Sequence, residues 1–199
     1  MKKLVCIILA LLLAVCFAFG EETTDSTDTE EEGILVHGYI SPYAHYYIAV
    51  PAEWCIIGAG CTIENKAEAI ATLDDDVEAL LAQMNEQNDV LICKSAKNEG
   101  LILTYGECNG VSNSDMIDSI DEIEAELAAQ YNGLSFKDES GSYSYMSVAD
   151  ILFLSMTYKN TDIYQYYLVS GSKMYTFTFF GTDTTTAEAV MSLFSMTES

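Results

Sequence analysis

A long alternation near the end of the chain restricts the fold more than any other feature. Residues 163–169 and 173–181 are rich in Tyr, Phe, Ile and Val, and Ser170-Gly171-Ser172 between them suits a turn. In the second run the aromatic residues alternate with other types: Tyr175, Phe177 and Phe179 against Met174, Thr176 and Thr178. Successive side chains of a strand point to opposite faces. We therefore expect a hairpin whose aromatic face lies on the core.

Earlier runs predict further strands. Residues 34–40 and 45–50 are typical of two short strands, or of one strand bent in the middle, and Pro51 ends the second run. Residues 143–158 form a longer run that is interrupted near Ala149-Asp150. The tyrosines at 164, 166 and 167 belong to the late hairpin, and strict alternation would expose some of them for binding. The favoured explanation is the simple strand propensity of Tyr.

Residues 90–95 and 101–107 predict another hairpin. Asn98-Glu99-Gly100 lies between them and suits a tight turn. With Asn98 and Glu99 at the turn, Cys93 faces Thr104, so it does not face Cys108.

Three segments have the apolar spacing of helices. Residues 74–84 begin with three Asp, residues 115–131 lie between Ser114 and Asn132-Gly133, and residues 184–196 close the chain. Ser114 is a candidate N-cap, and Thr185 with Glu188 has the form of a capping box. Helices with one apolar stripe and a mainly antiparallel sheet predict an α+β fold, arranged as an α/β/α layered sandwich.

The first residues predict export. Lys2 and Lys3 precede an uncharged run, and Ala18-Phe19-Gly20 suits signal peptidase, so residues 1–20 are expected to be a signal peptide cleaved near Gly20. The run is short for a membrane span, although an uncleaved anchor or a lipid on Cys16 remains an alternative. Residues 21–32 are an acidic spacer expected to be disordered, and residues 33–199 fit a single domain.

Charge restricts the partners. The formal net charge is −23, and the sequence has no Arg. Nucleic acids and anionic membranes attract basic patches, so neither is an expected partner. We also expect no integral membrane domain once the signal is removed. A protein or a small ligand remains as the expected partner, and the oligomeric state stays open.

Four segments together resemble the PsbP-like fold, which includes the photosystem II extrinsic subunit and a Ran-binding import factor. They are "YIAVPAEW", "DVLICKSAKNEGLILTYGE", "IYQYYLVSGSKMYTFTFFGTD" and "AVMSLFSM", within residues 39–196. Like those proteins, the chain has a Pro-x-x-Trp corner, from Pro51 to Trp54, and a Phe near the end of the last helix, Phe194. The resemblance implies an α+β sandwich in an exported bacterial protein, and no common activity.

The candidate site residues gather in one stretch. The ligand-binding candidates are Tyr43, His45, Tyr47 and Trp54. Cys55 and Cys61 are near enough to form a disulfide in an exported chain. His37 and His45 lie on neighbouring runs, and a pairing of the two in a sheet is a minor alternative to ordinary sheet-edge positions. These ordinary positions, and a core anchor for Trp54, are the favoured explanation.

The function classes follow from which motifs occur. The sequence has no G-x-S-x-G, HExxH or Gly-rich phosphate loop, so we expect no catalytic residues, metal or cofactor. The leading hypothesis is an exported, non-catalytic binding or accessory domain at the bacterial cell surface. The alternatives are an extracytoplasmic enzyme that uses Cys–His or His–carboxylate chemistry, and a sensor of cations.

Overall fold

The computed structural model describes residues 36–60, 90–95, 97 and 99–197. The predicted signal peptide, acidic spacer and helix 74–84 lie outside these residues, as does Cys61. Among the described residues the strands form two sheets, and all strand pairs are antiparallel.

The small sheet has three strands in the order β1-β2-β11. They are β1 (Val36–Ile40), β2 (Tyr46–Pro51) and β11 (Ser195–Met196). The large sheet has the order β3-β4-β5-β10-β9-β8-β6, with β7 also paired to β8. Its strands are β3 (Cys55–Ile57), β4 (Val90–Lys94), β5 (Gly100–Glu107), β6 (Ser135–Phe136), β7 (Gly141–Tyr145), β8 (Ala149–Tyr158), β9 (Thr161–Ser170) and β10 (Lys173–Phe180).

Helices cover both faces of the large sheet. Helices α1 (Asn113–Asp118) and α2 (Ile120–Gln130) lie on one face, where Met116, Ile123 and Leu127 are buried in the α2-side core. Helix α3 (Thr184–Ser192) lies on the other face, where it shares the α3-side core with the small sheet. The predicted α+β fold, with helices on both faces of a mainly antiparallel sheet, is confirmed.

The late hairpin has the predicted two faces. Tyr175, Phe177 and Phe179 lie in the α3-side core, as the alternation predicts. Met174 belongs to the α2-side core, and Thr176 and Thr178 are also buried. Because both faces of the sheet are covered, alternation does not expose any of the tyrosines at 164, 166 and 167, which are all buried. The alternative of an exposed, ligand-binding Tyr cluster there is therefore wrong, and the favoured explanation, strand propensity of Tyr, agrees with the burial.

The helix boundaries differ from the predicted ones. The run 115–131 is divided at Ser119, whose N–H points to the carbonyls of residues 115–117 and tightens the chain there. Ser112, and not Ser114, caps α1, because its Oγ accepts from the Asp115 N–H at 3.2 Å while Asp115 Oδ2 accepts from the Ser112 N–H at 2.8 Å. These reciprocal bonds satisfy amides that the helix itself leaves unpaired.

The last helix is shorter than predicted. Asp183 caps α3 by accepting from the Thr186 N–H at 2.7 Å, so the expected Thr185 capping box is wrong. The helix ends at Ser192 because Ser195 and Met196 pair with Tyr47 and Tyr46 of β2. The end of the chain therefore ties the small sheet to α3.

The β4–β5 hairpin has another register than predicted. Cys93 lies opposite Leu101, and Lys94 lies opposite Gly100, so the loop between the strands is longer than two residues. The Ser95 hydroxyl accepts from two amides of this loop, Lys97 N–H at 3.1 Å and Glu99 N–H at 3.4 Å. Gly100 is required at the strand start, since a Cβ there would lie 2.1 Å from the Cys93 carbonyl oxygen.

Candidate functional site

The turn between β1 and β2 carries two of the predicted ligand-binding residues. The Ser41 hydroxyl accepts from the Ala44 N–H at 2.9 Å, and the Ser41 N–H donates to the Tyr46 carbonyl at 2.9 Å. This turn leaves Tyr43 36% exposed and places His45 at a left-handed φ of 54°. Tyr43 and His45 are therefore both presented to solvent by one turn.

Tyr47 lies on the outer face of the small sheet. Its ring crosses Gly38 of the neighbouring strand, where a Cβ would come within 2.5 Å of Tyr47 Cε2. Tyr46 and Ile48, on either side, point inward to the α3-side core. Tyr47 is half-buried and fixed in place by this glycine.

Trp54 lies away from solvent. Its side chain is 1% exposed in the α3-side core. Its backbone N–H donates to the Pro51 carbonyl at 3.0 Å, in the turn between β2 and β3. Cys55, which follows it, is also buried. The Pro-x-x-Trp stretch therefore forms a corner between the two sheets, whereas Tyr43 and His45 are at the surface. The proposed Cys55–Cys61 disulfide stays a prediction, since Cys61 is outside the described residues.

The two histidines do not come together. His37 lies opposite Val50, near the far end of the β1–β2 pair, while His45 precedes β2 beside the turn. The antiparallel register places them at opposite ends of the small sheet, so the alternative of a paired His site is not formed, and the favoured interpretation of ordinary sheet positions agrees with the structure. Within the described ranges, no group of three His, Cys, Asp or Glu is arranged to hold a metal.

A second surface lies at the same end of the molecule, and sequence reasoning missed it. Met146 and Val148, in the turn between β7 and β8, are 55% and 82% exposed. The Tyr145 hydroxyl donates to the Phe194 carbonyl at 2.7 Å, which holds this turn against the segment after α3. Leu193 and Met196 in that segment are 39% and 42% exposed. We call Met146, Val148, Leu193 and Met196 the tip surface.

The backbone of the tip is strained. Met146 and Ser147 have φ of 48° and 57°, and the Val148 N–H closes the turn on the Tyr145 carbonyl at 2.9 Å. Turns with left-handed central residues favour Asn and Gly, because a longer side chain costs of order 1 kcal/mol or more in this region. Strain of this kind concentrates where a turn presents side chains for function. Here it presents an exposed Met and an exposed Val.

A strip of aromatic rings lies on the α3 face of the large sheet, on strands β7, β8 and β9. The members of this aromatic shelf are Tyr143, Phe153, Tyr164 and Tyr166. Tyr166 is fully buried beneath the others, with its ring centre 5.0 Å from that of Tyr143 and 4.8 Å from that of Phe153. Tyr143 and Phe153 are half-buried, so the rings form part of the surface.

Two buried hydroxyls lie in this strip of the sheet. Tyr166 OH and Ser155 Oγ have no hydrogen-bond partner among the described residues. Tyr166 pairs with Phe153 and Tyr164 pairs with Ser155 in the β8–β9 register. Tyr166 and Ser155 are therefore diagonal neighbours on the same face of the sheet. A buried hydroxyl without a partner costs about 1–3 kcal/mol.

Two charged groups act on residues of the aromatic shelf. Burial, and then the Glu188 carboxylate of α3, raise the pKa of Tyr143 and of Tyr166. On the other side Lys137 Nζ lies 2.9 Å from Asp162 Oδ1 and 5.8 Å from the centre of the Tyr164 ring. The hydrogen bond from Lys137 lowers the pKa of Asp162, so the pair is ionised at neutral pH.

Comparisons with known proteins find two distant structural likenesses and no family for the chain. No family model matches the chain, and no curated protein matches it. Among solved structures, cyanobacterial PsbP from Synechocystis is similar at a TM-score of 0.44 and 10% identity, over 86% of this chain and 98% of that one. A structure from Bacteroides thetaiotaomicron is similar at a TM-score of 0.44 and 10% identity, over 81% of this chain. The chain spans only 48% of the length of that second protein.

The first of these structures belongs to the family that the sequence resembles. With helices on both faces of an antiparallel sheet, the chain itself has the α+β architecture that the sequence predicts. Along the described part of the chain, no helix has both the length and the apolar character needed to cross a membrane.

Proposed function

We propose that this chain is an exported, non-catalytic binding domain that docks a protein partner at the bacterial cell surface through the tip surface. The observation that carries the proposal is the exposed Met146 and Val148 pair on a strained turn. Exposed apolar side chains that occur in a group are typical of protein interaction sites. The predicted binding residues Tyr43 and His45 lie at the same end, because the Thr197 N–H donates to the His45 carbonyl at 2.8 Å.

Charge favours a partner other than a second copy. The tip surface consists of uncharged side chains, and the whole chain carries a net charge of −23. Two such chains repel each other at long range, whereas a basic protein is attracted. The proposed partner therefore has an apolar pocket that accepts Met146 and Val148, surrounded by Lys and Arg.

The enzymatic alternative has weaker support. His45 is exposed on a turn, while Cys55 is buried at the first position of β3. A nucleophile and its base need to lie within hydrogen-bond reach of each other and of a substrate. The positions of these two side chains do not favour the Cys–His pair that the sequence suggested.

Photo-crosslinking in the native cell tests the proposal. A photoreactive residue in place of Val148, and separately in place of Met196, is expected to capture the same protein, because both positions belong to the tip surface. The control position is Glu126, an exposed residue of α2 on the opposite face of the sheet. Capture of the same protein from Glu126, or of no protein from Val148, would contradict the proposal.

A further inference from the structure

The exposed sulfur-containing side chains of the described residues all belong to the tip surface. Met146 is 55% exposed and Met196 is 42% exposed. The other methionines that the structure describes are fully buried: Met116, Met156, Met174 and Met191. The described cysteines are buried as well: Cys55, Cys93 and Cys108. Among these side chains, an oxidant in the solvent that attacks sulfur therefore reaches the tip surface before it reaches the core.

One hydrogen bond brings the two exposed methionines to the same surface. The Tyr145 hydroxyl donates to the Phe194 carbonyl at 2.7 Å, Met146 directly follows Tyr145, and Met196 is two residues after Phe194. The backbone at Met146 is set by its turn, and the backbone at Met196 is set by its pairing with Tyr46. A chemical change at either sulfur atom therefore leaves this framework in place.

Oxidation converts the thioether of a methionine from an apolar group into a polar one. A peroxide transfers one oxygen atom to Sδ, so its O–O bond breaks and an S=O bond forms. The sulfur atom loses two electrons, and the peroxide is reduced to water or to an alcohol. The sulfoxide oxygen accepts hydrogen bonds from water, and an apolar pocket offers no replacement for them. Oxidation therefore opposes the contact between the tip surface and an apolar pocket.

We propose that Met146 and Met196 form a modification site, at which oxidation by a peroxide releases the protein partner from the tip surface. The inference rests on the proposed docking function and adds the regulation of that surface. Val148 and Leu193 contain no sulfur, so two of the four members of the surface become polar. The change is reversible, because methionine sulfoxide reductases use two thiols to return two electrons and two protons, which yields the thioether, water and a disulfide.

The position of the modification is tested on the full exported chain without its partner. The chain is treated with hydrogen peroxide for increasing times, and the sulfoxides are located by peptide mass spectrometry. Met146 and Met196 are expected to react at least about tenfold faster than the buried Met116, Met156, Met174 and Met191, because the solvent reaches only the first two. Equal rates at the exposed and the buried methionines would overturn the inference.

The effect on docking is measured with the protein that is captured from position 148. Peroxide treatment of the chain is expected to weaken binding of that protein at least about tenfold, and methionine sulfoxide reductases with dithiothreitol are expected to restore it. In Met146→Leu with Met196→Leu, each affinity is compared with that of the same variant before treatment, and we expect no change. Met174→Leu, at a buried position, is the control and is expected to respond as the unmodified chain does.

The outcomes separate this inference from the docking function. A chain whose affinity is unchanged after Met146 and Met196 are oxidised would overturn the inference and leave docking intact. An equal loss in the double Leu variant would also overturn it, because the loss would then come from another side chain. Capture of no protein from position 148 would overturn both the docking function and its regulation.

Discussion

Replacing Phe194 with Ala is expected to lower the free energy of unfolding by about 3–5 kcal/mol, the usual cost of removing a buried aromatic side chain. Phe194 is 1% exposed and lies at the point where the two sheets and α3 meet. Its ring centre is 5.5 Å from that of Tyr46 in β2 and 4.8 Å from that of Phe177 in β10. Truncation therefore removes contacts that hold the small sheet on the large one. Denaturant unfolding followed by circular dichroism gives the value.

The adjacent residue provides a matched control. Leu193 is 39% exposed, so Leu193→Ala is expected to change the free energy of unfolding by no more than about 0.5–1 kcal/mol. A loss in Phe194→Ala as small as that in Leu193→Ala would contradict the packing described at this junction.

Truncation of Trp54 is expected to have a similarly large effect. Trp54→Ala should lower the free energy of unfolding by about 3–5 kcal/mol, because the indole is 1% exposed in the α3-side core. Circular dichroism follows the unfolding, since the variant has lost the only Trp of the chain.

A surface residue of the same candidate set is the comparison for Trp54. Tyr43 is 36% exposed, and Tyr43→Ala is expected to change the free energy of unfolding by about 0.5 kcal/mol or less. If the two variants lose equal stability, Trp54 is not the core anchor that its burial indicates.

Local patterns predicted the elements whose neighbours are close in sequence. The β9–β10 hairpin follows from Ser170-Gly171-Ser172 and the alternation after it, and the observed pairing of Lys173 with Ser170 closes the hairpin there. The corner from Pro51 to Trp54 was also predicted from the sequence, because Pro tends to end a strand and a single Trp is usually buried in a core. For these elements one local conformation has no close competitor.

The β4–β5 register was harder because its turn chemistry was ambiguous. Asn98, Glu99 and Gly100 favour a tight turn, but the Ser95 hydroxyl organises a longer loop by accepting from two amides. Side-chain bonds of this type compete with the standard turns, and spacing alone does not show which arrangement wins. The division of the predicted helix 115–131 at Ser119 was equally hard to predict, because the apolar stripe continues across Ser119.

The tip surface and the aromatic shelf both depend on contacts between residues that are distant in sequence. The tip surface forms because the Tyr145 hydroxyl donates a hydrogen bond to the Phe194 carbonyl. The aromatic shelf forms because Tyr143, Phe153 and Tyr166 lie on three neighbouring strands. In the sequence, "YMSVAD" reads as part of a strand, and the left-handed backbone at Met146 gives no signal. The sequence did predict an interruption of the run 143–158 near Ala149-Asp150. The turn is at residues 146–148, just before that position.

The affinity of the crosslinked partner for a variant of the tip surface tests directly whether that surface binds a protein. Met146→Ser with Val148→Ser removes the apolar contact while leaving both backbone positions, and Glu126→Gln is the control. We expect the double variant to bind the partner at least about tenfold more weakly, with its free energy of unfolding unchanged within about 0.5 kcal/mol. An affinity equal to that of the unmodified chain and of the control would contradict the claim.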